Sequence, residues 1–364
     1  MLINNKLFLF VTGIFLALLT ISSPANSFEL HGFGNVIFTQ NTESKNDQGA
    51  FGLGELDFYI SERVDDRTDI LIEFVLESQA GKRDFEIELE RLQLGYIISD
   101  TFKLRAGRSH NILGFWNTEY HHGVQLQTSI DRPLFLKFEH DGGTIPVHVI
   151  GLWGSGRYNT DTLNLNYDVM LSNGSKVQDG IIDPNSFTDD THNKAVSLRL
   201  TTESNEVPGF KAGISGNYAL VKGYTTGGTP TEIFSVKQQI IVFDLTYFKK
   251  PMEFIGEYYI FNAEDDMVSG KNYSSGFFYT QVGYMIKENL IPYARFENIT
   301  IDENSPYFKA LSIASPVLND SRRTIAGVRY NLSHVNCIKA EVRFIDNDTI
   351  ADFNEYAVQW AVSF

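Results

Sequence analysis

The chain has 364 residues, 43% hydrophobic, 13% aromatic and 21% charged, with a formal charge of −15. It is too aromatic and too sparsely charged for a disordered chain, and past the N-terminus no run reaches the ~18 apolar residues of a membrane-spanning helix. A single cysteine, Cys337, excludes a disulfide framework and a four-cysteine zinc site, and the acidic balance argues against nucleic acid as a partner.

In chain order, the first feature is Lys6 followed by an apolar stretch from Leu7 to Ile21 and then Ala25-Asn26-Ser27, which fits the small-x-small cleavage rule. The spacing predicts a signal peptide over 1–27, with residues 28–364 exported as one folded unit. From there the pattern is strand, turn, strand. In TLNLNYDVML, Leu163, Leu165, Tyr167, Val169 and Leu171 alternate with Asn164, Asn166 and Asp168; in IKAEVRF, Ile338, Ala340, Val342 and Phe344 alternate with Lys339, Glu341 and Arg343. Period-two alternation gives each strand one apolar and one polar face. Such runs predict sixteen strands, at about 28–40, 52–63, 67–78, 86–98, 102–109, 143–153, 161–172, 192–203, 208–221, 233–248, 251–262, 274–286, 289–300, 321–332, 335–346 and 353–364.

The connections alternate between short turns (VDDR, SDT, KK, KE, SH) and long loops. No fixed-period repeat or linker divides the chain, so the pattern predicts an all-β fold: a transmembrane antiparallel β-barrel of about 16 strands, short turns facing the periplasm and long loops facing outward. Aromatics near strand ends, Phe58, Tyr59, Phe102, Tyr247, Phe248, Tyr258, Tyr259, Tyr284, Tyr293, Tyr330 and Tyr356, are expected at the lipid–water boundaries. In the last strand Tyr356, Val358, Trp360, Val362 and Phe364 share one face. Such a closing strand is similar to those of bacterial outer-membrane proteins, which implies that Tyr356, Trp360 and Phe364 form an assembly signal for the barrel assembly machinery. The expected location is the bacterial outer membrane, among its lipids and lipopolysaccharide.

About 16 strands leave a water-filled lumen, which implies diffusion of small ions or hydrophilic solutes. The inward positions carry Lys103, Arg105, Arg199, Lys211, Arg295, Arg329, Lys339 and Arg343, and on the acidic side Asp57, Glu73, Glu253 and Glu257. These are the expected channel-lining charges, and opposed signs across a narrow pore favour polar solutes. Most other acids lie in loops, so the net charge does not decide selectivity.

Three segments resemble the porins, most nearly the phosphate-selective porin O and P type: LHGFGNVIF as first strand, GELDFYISERVDDRTDILIEFVLE as a strand-turn-strand pair, and FKLRAGRSHNILGFWN entering a long third loop. The resemblance implies a passive channel, with anions such as phosphate as cargo, although the lysine-rich loop expected for phosphate capture is not evident. It also implies that the third loop, about Ser109 to Gly142, folds inward as a constriction carrying Arg108, Trp116, His121, His122, Arg132 and Lys137. A homotrimer is expected.

Other motifs point elsewhere only weakly. His110, His121, His122, Glu139 and His140 fall within that one loop but match no metal-ligand spacing, so no metal or cofactor is expected. Single GxG patterns lack a following helix, and no GxSxG elbow appears, so no enzyme is expected. The competing reading is a barrel that anchors a surface or structural protein without channel activity.

Overall fold

A computed structural model describes residues 29–43, 48–78, 85–120, 123–137, 143–178, 180–186, 193–225, 231–268, 270–314, 321–348 and 351–364. The expected signal peptide over 1–27 lies outside the described residues. The strands are β1 (Glu29–Asn41), β2 (Ala50–Arg63), β3 (Thr68–Ser78), β4 (Phe85–Ser99), β5 (Phe102–His110), β6 (His148–Asn159) and β7 (Leu163–Asn173). They continue with β8 (Lys176–Gln178), β9 (Ile181–Asp183), β10 (Lys194–Ser204), β11 (Phe210–Tyr224), β12 (Glu232–Lys249) and β13 (Met252–Asp265). The last are β14 (Lys271–Tyr284), β15 (Leu290–Thr300), β16 (Ser321–Ser333), β17 (Asn336–Asn347) and β18 (Phe353–Ser363). Sixteen of them close one antiparallel barrel, as the alternation predicts, while β8 and β9 pair only with each other inside a loop.

Closure joins β1 to β18, with Val36 opposite Trp360 and Phe38 opposite Val358. The seam continues through the last residue: Gly32 N–H donates to Phe364 O (2.9 Å) and Phe364 N–H to Gly32 O (2.8 Å). A barrel leaves no edge of unpaired backbone, which is what permits strands in lipid. The apolar face of the alternation points outward. Ile338 is 38% exposed and its neighbour Lys339 fully buried, the reverse of a soluble sheet.

The structure departs from the sequence reading in four places. β6 starts at His148, not 143, because residues 143–147 belong to the long loop: Pro146 offers no N–H to a ladder, and Ile145 and Val147 are buried. Residues Pro306–Ala314, expected as loop, form a helix, α2, whose Tyr307, Phe308, Ala310 and Leu311 all point to the interior. Proline suits the first turn of a helix, where an N–H has no partner anyway. The aromatic girdle is also smaller than expected. Tyr258, Tyr284, Tyr330 and Tyr356 face outward, but Tyr259 and Tyr293 are buried inside the barrel. Finally, β12 to β14 carry apolar residues on both faces: Val242, Ile255, Phe261 and Phe277 point inward beside Asp244 and Glu257, while Ile241, Phe243, Tyr258 and Val282 point outward.

Candidate functional site

The third loop spans residues 111–147, and its described parts, 111–120, 123–137 and 143–147, fold into the lumen, carrying a short helix, α1 (Phe115–Glu119), and a 3-10 turn at Leu134–Leu136. Its apolar residues meet the apolar inner wall. Leu113, Phe115, Trp116, Phe135, Leu136, Ile145 and Val147 form one buried cluster with Val242, Ile255, Tyr259, Phe277 and Tyr279. Phe135 stands edge-on to Tyr259 (4.8 Å between centroids) and stacks on Phe277 (5.4 Å). Each side chain of this size contributes about 1.5–3 kcal/mol on burial, so the loop is a packed layer.

Carboxylates on the wall hold the loop backbone. Glu257 of β13 accepts the N–H groups of Phe115 (3.0 Å) and Trp116 (2.7 Å) at the start of α1, and the hydroxyls of Tyr259 (2.8 Å) and Tyr279 (2.6 Å). Glu297 of β15 accepts Leu134 N–H (2.9 Å), and Glu341 of β17 accepts Ile130 N–H (2.7 Å) and the Tyr293 hydroxyl (2.6 Å). Glu253 accepts the Thr128 hydroxyl (2.5 Å). Gly114, ahead of α1, has φ +72°, and a Cβ there would lie 2.1 Å from Glu257 Oε2, so only glycine allows this approach.

Cations on the same wall serve the loop's carbonyls. Arg295 Nη1 donates to Asp131 O (2.8 Å), Arg329 Nη1 to Gln127 O (2.7 Å), and Lys339 Nζ to Ser129 O (2.8 Å) and to Val124 O. Arg343 Nη1 lies 2.7 Å from an Asp131 carboxylate oxygen. Burial alone would raise the Asp131 carboxyl, but Arg343 and Arg323, helped by Lys137 and Arg295, hold it down at about 2. Burial pushes the phenol of Tyr120 up, with Glu253 adding to the effect, so this loop group stays neutral.

Opposite the packed layer, on the wall of β2 to β11, open space remains. A cavity of about 480 Å³ is lined by Arg91, Lys103, Arg105, Arg199 and Lys211 against Asp69, Glu119 and Asp168. Lys103 pairs with Asp69, and Arg199 makes two bonds to Asp244 (2.8 and 2.9 Å). The Arg105 guanidinium lies 4.3 Å from the centre of the Trp153 ring and donates to Ser155 (2.8 Å). A second cavity, about 210 Å³, lies between loop and wall near β1 and β18, with Arg132 and Lys137 against Glu55 and Asp131.

The sequence-predicted residues therefore separate into groups. Lys103, Arg105, Arg199 and Lys211 border the larger cavity, and Arg132 and Lys137 the smaller. Arg295, Arg329, Lys339, Arg343, Glu253 and Glu257 point inward but hold the loop, most of them buried beneath it. Asp57 is fully buried on β2, Glu73 pairs with Arg91, and Trp116 is fully buried in the apolar cluster. Arg108 is not in the loop: it lies on β5, where its Nε donates to Glu90 O (3.0 Å) and its Nη2 to Glu88 (2.8 Å). The strand ends at His110, one residue past the end read from the sequence. His121 and His122 lie outside the described residues, as do Glu139 and His140. Tyr356 and Trp360 face outward on β18, and the Phe364 ring meets Phe58 (6.0 Å). Sequence reasoning missed Arg91, Asp168 and Trp153 as cavity residues; alternation in their own strands was the signal that could have found them.

No family model matches the sequence, and no curated protein does. Solved structures do. The fold is similar to an anion-selective porin from Comamonas acidovorans, with TM-score 0.61 and 9% identity over 93% of this chain and 99% of that one. It is similar to OmpT, an outer membrane protein of Vibrio cholerae in its trimer form, with TM-score 0.59 and 12% identity over 93% of this chain and 99% of that one. The outer membrane channel DcaP of Acinetobacter baumannii aligns with TM-score 0.57 and 12% identity over 94% of this chain and 99% of that one. The outward face of the barrel carries an apolar band, the surface a lipid bilayer requires of a transmembrane barrel.

Proposed function

We propose that the barrel is a passive channel for small hydrophilic solutes that favours anions, and that solutes pass along the polar wall of β2 to β11. The observation that carries this reading is the asymmetry of the interior. Loop 3 is packed against one half, while the open space on the other is lined by five cationic side chains and three anionic ones, with Glu73 and Asp244 behind Arg91 and Arg199. Rows of Lys and Arg lower the barrier to anions in a low-dielectric passage. Phosphate is one such anion. The trimer form of one structural neighbour supports a homotrimer. The outward Tyr356 and Trp360 and the sealed Phe364 suit recognition by the barrel assembly machinery, and the outer loops suit contact with lipopolysaccharide.

The test is reconstitution of folded, purified protein into planar bilayers. Stepwise conductance and a reversal potential of anion-selective sign in a KCl gradient are expected. The variant Lys103→Glu/Arg105→Glu should shift that potential toward cations while folding normally. Folded protein without conductance would favour the anchor reading, and an unshifted potential in the variant would remove the role assigned to this wall. Competition by phosphate for chloride current would then assign the cargo.

A further inference from the structure

Both ends of loop 3 meet at one point of the inner wall. His110 is the last residue of β5 and His148 the first of β6, and the two form an antiparallel cross-strand pair. Their rings share the inward face, with centroids 5.7 Å apart. Glu90 of β4 reaches the same point because of a break in the ladder. Glu73 of β3 faces Arg91, but the next residue, Phe74, faces Leu89, so Glu90 is the extra residue of a β-bulge. A bulge suspends alternation and re-aims a side chain, and here Glu90 and Arg91 are neighbours that both turn inward, Arg91 to Glu73. The Glu90 carboxylate, 2% exposed, contacts His148 Nε2 and lies 3.7 Å from His110 Nε2. One ligand atom from each residue lies within 4.8 Å of the others.

We propose that Glu90, His110 and His148 bind a divalent transition-metal ion of the zinc type, which fastens both ends of loop 3 to the barrel wall. Two imidazole nitrogens and one carboxylate oxygen suit zinc, copper or nickel, whereas calcium and magnesium prefer oxygen alone. Bonds near 2.0–2.1 Å put tetrahedral ligands about 3.4 Å apart, within reach of side-chain rotation from the present positions. His110 also lines the larger cavity, which supplies a path from the lumen and room for a fourth, water ligand. The backbone around the ligands is held. Arg108 Nε donates to Glu90 O, and Asn185 Oδ1 accepts the N–H groups of Val147 (2.7 Å) and His148 (2.9 Å). On the neighbouring wall Arg91 is matched by Glu73 and Arg108 by Glu88.

The test is equilibrium dialysis of the folded, detergent-solubilised chain against Zn²⁺, with Co²⁺ as a spectroscopic probe. The expected result is one Zn²⁺ per chain, visible d–d absorption of tetrahedral type with Co²⁺, and a higher unfolding temperature with metal. His110→Ala and His148→Ala should each weaken binding at least about tenfold, since even outer-shell changes cost that much. Glu90→Gln keeps the shape of the site and should do the same, so it decides the matter if a histidine variant fails to fold. A control variant, His334→Ala in the turn between β16 and β17, should bind as before. No bound Zn²⁺ in the unaltered chain, or binding unchanged by Glu90→Gln, would overturn the site. Binding without a change in unfolding temperature would overturn its role as a fastener.

Discussion

Asp131 couples loop 3 to Arg343 across 2.7 Å with a third of its side chain exposed. Its carboxyl is held at about 2, below the roughly 3.9 of an unfolded aspartate, so ionisation favours the docked loop. That contribution is complete above about pH 5 and is lost as pH falls through about 2. Single-channel recordings should therefore show loop-derived current noise rising only below about pH 4, and Asp131→Asn should show the same noise already at pH 7. A quiet Asp131→Asn channel at neutral pH would mean that the neighbouring backbone bonds hold the loop alone. At this scale the sequence was legible in direction only. Alternation shows that Arg295, Lys339, Glu257 and Glu341 point inward, but whether such a group meets water or the backbone of a loop more than a hundred residues away is set by tertiary structure.

Among the elements, β5 carries the tightest local requirement. Gly107 has φ +130°, and a Cβ there would lie 1.9 Å from Leu92 O of β4. Gly107→Ala should cost about 2–4 kcal/mol by combining backbone strain with a clash that the ladder cannot relieve. The check is a lower temperature for loss of the compact, heat-modifiable band on gels; an unchanged band would show that β5 can shift. The strands themselves were legible because lipid demands apolar residues at the outward positions, which holds in β7 and β10, where most inward residues are polar, and in β12 to β14, where many inward residues are apolar too. The helix α2 was not, because a short helix has little stability apart from the wall it packs on, and PYFKALSIA sits in a polar loop. The start of β6 was misplaced for a similar reason: the apolar residues Ile145 and Val147 serve the interior of the loop.

For the whole molecule, the 43% of hydrophobic residues divides between the lipid-facing band and a true interior core, which alternation alone does not reveal. The trace in the sequence is the pair of short uninterrupted apolar runs IIVF (240–243) and YYIF (258–261), where both faces are covered. A consequence is that loop 3 acts as the core's second layer. Replacing residues 115–136 with a short Gly-Ser linker should lower the barrel's unfolding temperature sharply, not merely widen the pore; a stable, simply wider channel would contradict this. The layer also imposes an order of events. Its bonds join residues 142 and 211 positions apart, Phe115 to Glu257 and Ile130 to Glu341, and contacts so distant in sequence form slowly. The strands that carry these carboxylates must be in place before the loop has anything to dock on. A closed ring whose loop 3 had not yet docked would be wider than the native one, and the docking rate would set how long that state lasts.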